Sequence, residues 1–462
     1  MNDWKSTLTE YRDRVCFAGG GNDETVTYGE MVEMMRRLEA KLRDAGVTSR
    51  SVVAFPGRYS PESVAMFVTL ADMKAVAVPM PDDAKPRINR LMSIAHVTHA
   101  VDKNKNVAEV AETFDPRSET TETLGEFRYG GDDSDRHPLY DQLSAEKHAG
   151  LVLFTSGTTG DPKAAVQDLD RLRLRYSQPR QVGNMMAFMH IDHIGGVNTS
   201  MYVLSHGGTL VVPRARTPEA VAEAIEHYKI EVLPVSPTFL NLLLLSNVSE
   251  SFELSSLRRI TYGSEAMPPS VLARLREAFP NAELLQTYGT TELGILKSKS
   301  ENNGSLWMKV GGEGYETKVV DGRLWVKAHT AMLGYLNAPS PFDAEGFMDT
   351  NDEVDVRGDW MKILGRKSDF INVGGTKVSP VEVESVLLEM PVVSEASVSG
   401  QAHPLMGQVV MARLTLSGSM KLGELKQRMR EHCKDRLPAE AIPVKITIAD
   451  GSMVTDRFKR AR

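Results

Sequence analysis

Short apolar runs alternate along this chain with stretches of helical spacing, and few architectures accommodate that order. Val52-Val53-Ala54 is followed by a helix-like run over 63–75, and the apolar run 151–154 leads straight into a Gly/Thr loop. Residues 209–212 form a third apolar run. Thr217 and Pro218 then read as an N-cap and a first helical residue, with Val221, Ala224, Ile225 and Tyr228 on one face before strand resumes at Val232-Leu233. Residues 260–262 and 284–287 are two further strands, with helical spacing over 271–279 between them and Pro280 closing it. Strands that are apolar throughout and separated by helices predict parallel sheets covered on both faces. Ligands of such sheets sit outside the carboxyl ends of the strands.

From about residue 310 the texture changes. Stretches 317–320 and 324–327 predict a small β-rich module, and beyond Gly365 a compact α+β unit is expected. That unit has a helix over 380–388 capped by Ser379, strands over 395–399 and 409–416, and a helix over 422–433. The polar, acidic stretch 103–147 reads as a surface loop. The expected fold is therefore α/β: a large N-terminal domain of parallel-rich sheets with helices plus a small β-rich module (1–364), and a small α+β C-terminal domain (365–462).

Composition narrows the function classes. A net charge of -7 on 462 residues argues against non-specific nucleic-acid binding, which needs a basic surface. No apolar run approaches the ~20 residues of a membrane span, and the opening stretch lacks the basic-then-apolar pattern of a secretory signal. Cys16 and Cys433 are the only cysteines, so a disulfide framework or cysteine-rich zinc site is excluded. The expectation is a soluble, cytoplasmic protein of several domains.

Four loops carry chemistry. The first is Thr155-Ser156-Gly157-Thr158-Thr159-Gly160-Asp161-Pro162-Lys163, directly after a strand. Its glycines permit close backbone approach, hydroxyls and amides donate to oxyanions, and Lys163 adds a charge, as a phosphate cradle requires. It is not the Walker pattern, because Gly160 is followed by Asp-Pro-Lys. The second is Tyr288-Gly289-Thr290-Thr291-Glu292, which offers an aromatic face, hydroxyls and a carboxylate suited to Mg²⁺, though alone it reads rather as an ordinary strand-end turn. The third joins Asp352 to Gly365-Arg366-Lys367-Ser368-Asp369 and Gly374-Gly375-Thr376-Lys377. A carboxylate and an arginine suit ribose hydroxyls as acceptor and donor, and a salt-bridged domain junction is the alternative. The fourth is the basic end of the chain, Thr455 to Arg462, which alone reads as solvated.

Taken together and in this order, the four motifs resemble the adenylate-forming superfamily of acyl- and aryl-CoA synthetases, peptide-synthetase adenylation domains and firefly luciferase. The resemblance runs from Thr27-Tyr28-Gly29-Glu30 to Lys459. It implies that a carboxylic acid attacks the α-phosphate of ATP, giving an acyl-adenylate and pyrophosphate, and that the acyl group passes to a thiol of CoA or of a phosphopantetheine arm. By that resemblance Thr155, Ser156, Gly157, Thr158, Thr159, Gly160 and Lys163 grip the β- and γ-phosphates. Tyr288 stacks on adenine, Gly263-Ser264-Glu265 wall its other side, and Gly289 and Thr290 belong to the same loop. Thr291 contacts the α-phosphate, Glu292 binds Mg²⁺, and Asp352 and Arg366 hold the ribose. Lys459 bridges the substrate carboxylate and the α-phosphate. The C-terminal domain rotates about a hinge at Ser368, withdrawing Lys459 and presenting Gly374-Gly375 to the thiol.

Three positions depart from the family pattern. Thr350-Asn351-Asp352 stands where Thr-Gly-Asp is usual, Ser368 where the hinge is often Asp or Lys, and Phe458 where a glycine precedes the catalytic lysine, leaving Arg457 as the alternative cation. The stretch from Met189 to Asn198 matches the acyl-pocket motif, with His193 at the gate and Gly196, Val197, Gly263 and Gly294 lining space for a flat or elongated acid. His190 and His193, three apart, lack an apparent third ligand for zinc. The resemblance points to an ATP-dependent CoA ligase for an aryl or medium-sized acyl acid. The alternative is a stand-alone adenylation enzyme that loads a carrier protein, since both use the same thiol chemistry. A non-catalytic nucleotide-binding regulator would need a broken site, whereas Lys163, Glu292, Asp352 and Lys459 are all present.

Overall fold

The computed structural model describes residues 3–81, 87–101, 107–109, 136–155, 162–449 and 453. By packing, the chain forms two compact units. One comprises Met1–Leu233, Gly289–Ile295 and Ala328–Phe342, and the other Pro234–Tyr288, Leu296–Lys327 and Asp343–Arg462. This grouping by compactness differs from the sequence division at 364/365, which concerns the part that would move.

In the first unit a seven-stranded sheet runs in the order Gly334–Tyr335, Lys163–Asp168, Gly150–Thr155, Val76–Met80, Val52–Pro56, His99–Val101, Val107–Glu109. Its centre is parallel, and antiparallel strands close both edges. Alternation along a strand explains why its centre is apolar throughout. Val53 and Phe55 enter one core with Phe17, Tyr28, Met35, Phe67 and Leu153. Val52 and Ala54 enter another with Val76, Leu91, Tyr140, Val152 and Phe154. A second sheet sets Asn184–Met186, Thr209–Val212 and Val15–Gly19 in parallel, with Glu24–Thr27 antiparallel beyond them.

Local chemistry starts the helices where the sequence places them. Thr27 forms a full capping box with Glu30 at the head of Tyr28–Asp44. Thr217 caps Pro218–Tyr228 by accepting from the Ala220 amide. Two expectations need correcting. The stretch read as a loop contains the helix Pro138–Glu146, capped by His137 and burying only Tyr140 and Leu143. Ser379 stands at the head of Pro380–Leu387, but its side chain makes no capping bond, and its buried Oγ has no partner among the described residues.

The second unit begins with two parallel strands, Arg259–Tyr262 and Glu283–Gln286, and the helices Pro237–Leu245 and Pro269–Ala278. A six-stranded β-rich module follows, in the order Ser298–Ser300, Trp307–Val310, Trp360–Arg366, Met348–Arg357, Arg323–Ala328, Tyr315–Val320. The rest is a small α+β body. Its strands Val393–His403, Gly407–Leu416 and Lys445–Ile448 form one sheet with Ile371–Val373 and Thr376–Val378, and carry the helices Pro380–Leu387 and Leu422–Cys433. Among the described residues no helix is long and apolar enough to cross a membrane.

Candidate active site

The first unit holds the residues expected on the phosphate side. Thr155 and Lys163 are cross-strand partners where Gly150–Thr155 and Lys163–Asp168 meet. Ser156, Gly157, Thr158, Thr159 and Gly160 lie outside the described residues, as do Arg457, Phe458 and Lys459. Thr290 ends the strand Gly289–Thr290, and Thr291 and Glu292 sit in the turn between it and Gly294–Ile295. Gly289 has to be glycine, because a Cβ would lie 2.5 Å from the Gly294 carbonyl oxygen.

Main-chain anchors fix that turn. Gln167, fully buried in the strand that starts at Lys163, donates through Nε2 to the Thr291 carbonyl. The Met332 amide donates to the Glu292 carbonyl at 2.7 Å. The Tyr335 hydroxyl donates to Glu292 Oε1 at 2.5 Å, and Lys163 Nζ stands 5.3 Å from the centre of the same ring, within cation–π range. Lys163 and Glu292 are thus joined through one side chain. Among the described residues the carboxylate is held through Oε1, and Oε2 is a hard oxygen donor of the kind that fits Mg²⁺.

The second unit holds the residues expected on the nucleoside side. Gly263 and Thr287 follow the carboxyl ends of two parallel strands, and a Cβ on Gly263 would lie 2.5 Å from Thr287 Oγ1. Ser264 takes a left-handed φ of 66°. Glu265 turns its carboxylate to the head of Pro237–Leu245, accepting from Thr238 Oγ1 at 2.6 Å and its amide at 3.3 Å. Tyr288 is buried, and its hydroxyl donates to Asp352 Oδ2 at 2.6 Å.

Asp352 pairs in register with Arg366 on the neighbouring strand, Nε to Oδ1 being 3.8 Å. Thr350 Oγ1 donates to the Leu324 carbonyl and accepts from the Asp352 amide, which fixes the backbone. Burial leaves Asp352 9% exposed and pushes its carboxyl above the usual range, while the Tyr288 hydroxyl and Arg366 pull it back. The tyrosine in turn is pushed well above its ordinary value by burial and by the carboxylate it faces. Asn351, where the family carries glycine, has φ 62°. Asparagine is one of the few side chains that tolerates this conformation.

Around the expected acid pocket, His193 heads Ile194–Ser205 and accepts the Gly195 amide on Nδ1 at 3.0 Å, which places the proton of a neutral ring on Nε2. Gly196 proves to be glycine for packing. A Cβ would lie 1.9 Å from the His190 carbonyl oxygen, so the backbone of residues 189–190 already fills the space expected to be open. At Gly294, with φ 74°, a Cβ would meet Leu172 and Thr330 at 3.3 Å. Val197 lines a small cavity with Tyr176, Asn198, Met201, Ile295 and Thr330.

In the second unit, Gly374 and Gly375 turn at φ 58° and 94°, and Ser368 lies exposed in the short turn Lys367–Asp369. Elsewhere, Glu146, His148 and Asp168 gather, but Arg171 bridges both carboxylates in an ion-pair network.

Sequence reasoning missed Gln167 and Tyr335, and named Thr350 only as part of the Thr350-Asn351-Asp352 motif. A glutamine inside an apolar strand is a signal for the first. Tyr335 carries none, since Gly334-Tyr335 reads as a turn.

The family described as AMP-binding enzyme matches residues 4–336, and AMP-binding enzyme C-terminal domain matches residues 382–459. The chain is 26% identical over 469 residues to indoleacetate–CoA ligase of Aromatoleum aromaticum, covering 91% of this chain and 89% of that protein. It is 28% identical over 475 residues to p-hydroxybenzoic acid–AMP ligase FadD22 of Mycobacterium tuberculosis, covering 95% of this chain and 64% of that protein. The fold is similar to the crystal structure of the anthranilate CoA ligase AuaEII in complex with anthranoyl-AMP, with a TM-score of 0.81 at 20% identity, covering 100% of this chain and 96% of that one.

Proposed function

This chain belongs to the AMP-binding enzyme family, and from that premise we propose that it joins an aryl or medium-sized acyl acid to CoA by way of an acyl-adenylate. It is an AMP-forming acid–thiol ligase. A carboxylate is a poor electrophile, so an oxygen of the acid attacks the α-phosphorus of ATP, the bond to the β-phosphate oxygen breaks, and pyrophosphate leaves. The thiol sulfur then attacks the acyl carbon of the mixed anhydride, its proton is lost, and AMP departs. The protein brings two anions together, which makes its contribution positioning and charge stabilisation.

The observation that carries this reading is the buried Asp352 opposite Arg366, an acceptor and a donor matched to a ribose diol. Tyr288 would stack on the base, Gly263 to Glu265 would wall it, Lys163 would hold the outer phosphates, and Thr291 would meet the α-phosphate. Magnesium, held by Glu292, would neutralise charge on the departing pyrophosphate. Lys459 would bridge the two reacting anions, with Arg457 as the alternative. The body beyond Ser368 would then rotate, breaking the Lys377–Glu353 ion pair, so that Gly374-Gly375 faces the thiol. Both cysteines are buried, and burial pushes Cys16 up to about 12 and Cys433 up to about 11, so the acceptor thiol comes from outside the chain.

The aryl preference is supported by relatives whose names carry indoleacetate, p-hydroxybenzoic acid and anthranilate. The relative named an AMP ligase favours a second reading, in which a carrier-protein phosphopantetheine replaces CoA. The test is pyrophosphate release from Mg-ATP across a panel of aryl and acyl acids, followed by CoA or a holo carrier protein. Release with aryl acids and a CoA thioester supports the proposal. A thioester on the carrier alone selects the second reading, and release with no acid contradicts both.

A further inference from the structure

We infer that Tyr335 is a positioning residue that sets the magnesium dependence of nucleotide binding, an inference that rests on reading Glu292 as the metal's carboxylate. Along Lys163–Asp168 side chains alternate, so Lys163, Ala165 and Gln167 share one face. Tyr335 stands opposite Ala165 on the neighbouring strand. The small alanine leaves room between its two polar neighbours, and the Tyr335 ring reaches Lys163 from there, with Nζ 5.3 Å from its centre.

The backbone of residues 291 and 292 is already pinned by Gln167 and Met332. What remains to be ordered is the glutamate side chain, which loses rotamer entropy when it is fixed. The Tyr335 hydroxyl on Oε1 at 2.5 Å supplies that order before any metal arrives. An outer hydrogen bond of this kind aims a ligand oxygen and tunes its affinity. One side chain thereby seats both the cation for the outer phosphates and the anion for the metal.

The test is equilibrium ATP binding to the full chain by calorimetry, in EDTA and across a magnesium titration. Tyr335→Phe keeps the ring and loses the hydroxyl. Its half-saturating magnesium concentration should rise roughly 10-fold, while metal-free ATP affinity stays at the wild-type value. Tyr335→Ala also removes the seat of Lys163 and should weaken metal-free binding as well. In a Glu292→Gln background the effect of Tyr335→Phe on magnesium should vanish. Equal losses with and without magnesium would reduce the hydroxyl to a fold support and overturn the inference, as would an unchanged titration. A wild type whose ATP binding ignores magnesium would overturn the metal role of Glu292 itself, a separate result from either.

Discussion

Two carboxylates of the candidate site each accept a tyrosine hydroxyl, Glu292 from Tyr335 at 2.5 Å and Asp352 from Tyr288 at 2.6 Å. Their surroundings differ. Glu292 is half-buried on a turn whose backbone is tied to neighbouring strands, while Asp352 is enclosed within a β-sheet with an exposed arginine 3.8 Å away. At Glu292 the hydroxyl fixes one oxygen of a half-buried side chain. At Asp352 it stabilises a charge that burial disfavours. One bond type serves as a geometric guide in a polar site and as electrostatic compensation in a dry one. Each carboxylate therefore has its own failure mode.

The largest separation is expected from Glu292→Gln. Pyrophosphate release should fall roughly 100-fold, with the loss growing as magnesium is lowered, whereas metal-free ATP binding should hold. Equal loss at all magnesium concentrations would erase the distinction between the two sites.

Asp352→Asn should weaken ATP affinity roughly 10-fold, the scale of one charged hydrogen bond, at every magnesium concentration. Its stability effect has the opposite sign. A raised carboxyl contributes stability below the unfolded value of 3.8, and that contribution is lost as pH rises through the folded value. Removing the buried charge should therefore raise Tm at neutral pH. A fall in Tm would show that Arg366 and Tyr288 already overcompensate for burial.

Tyr288→Phe sharpens the same point through pH. The hydroxyl favours the charged carboxylate, so losing it should raise the Asp352 value further. The acid limb of ATP binding should then move to higher pH, and Asp352→Asn should abolish the limb. An unmoved limb would assign it to another group.

The smallest effect concerns Asn351. With φ at 62°, Asn351→Gly should leave stability unchanged, while Asn351→Ala should cost about 1 kcal/mol in urea unfolding. Equal cost from both would mean that the asparagine side chain, rather than the backbone, matters here.

Elements governed by local rules were legible in the sequence. The strand Thr209–Val212 and the helix Leu422–Cys433 have the bounds their patterns predict, and Thr217 caps as its type and place require. The helix Pro138–Glu146 was hidden because it buries only two residues and so shows little periodicity. Ser379 shows the reverse error, a residue of capping type in capping position whose hydroxyl makes no cap.

At the site, motif residues were readable because glycines and charges at fixed spacing leave a trace. Gly196 was read as making space, yet its neighbour is the backbone of His190, a contact that periodicity does not encode. Tyr335 meets Glu292 across 43 positions of chain, and only the folded sheet brings them together.

The proposed reaction cleaves ATP between the α- and β-phosphates to activate an acid. Its most direct test is mass spectrometry of products from a single turnover with excess enzyme, Mg-ATP and an aryl acid, without thiol, alongside Lys459→Ala. Bound acyl-AMP and one pyrophosphate per adenylate are expected in the wild type, and little of either in the variant. Formation of ADP and phosphate in place of acyl-AMP would contradict that reaction.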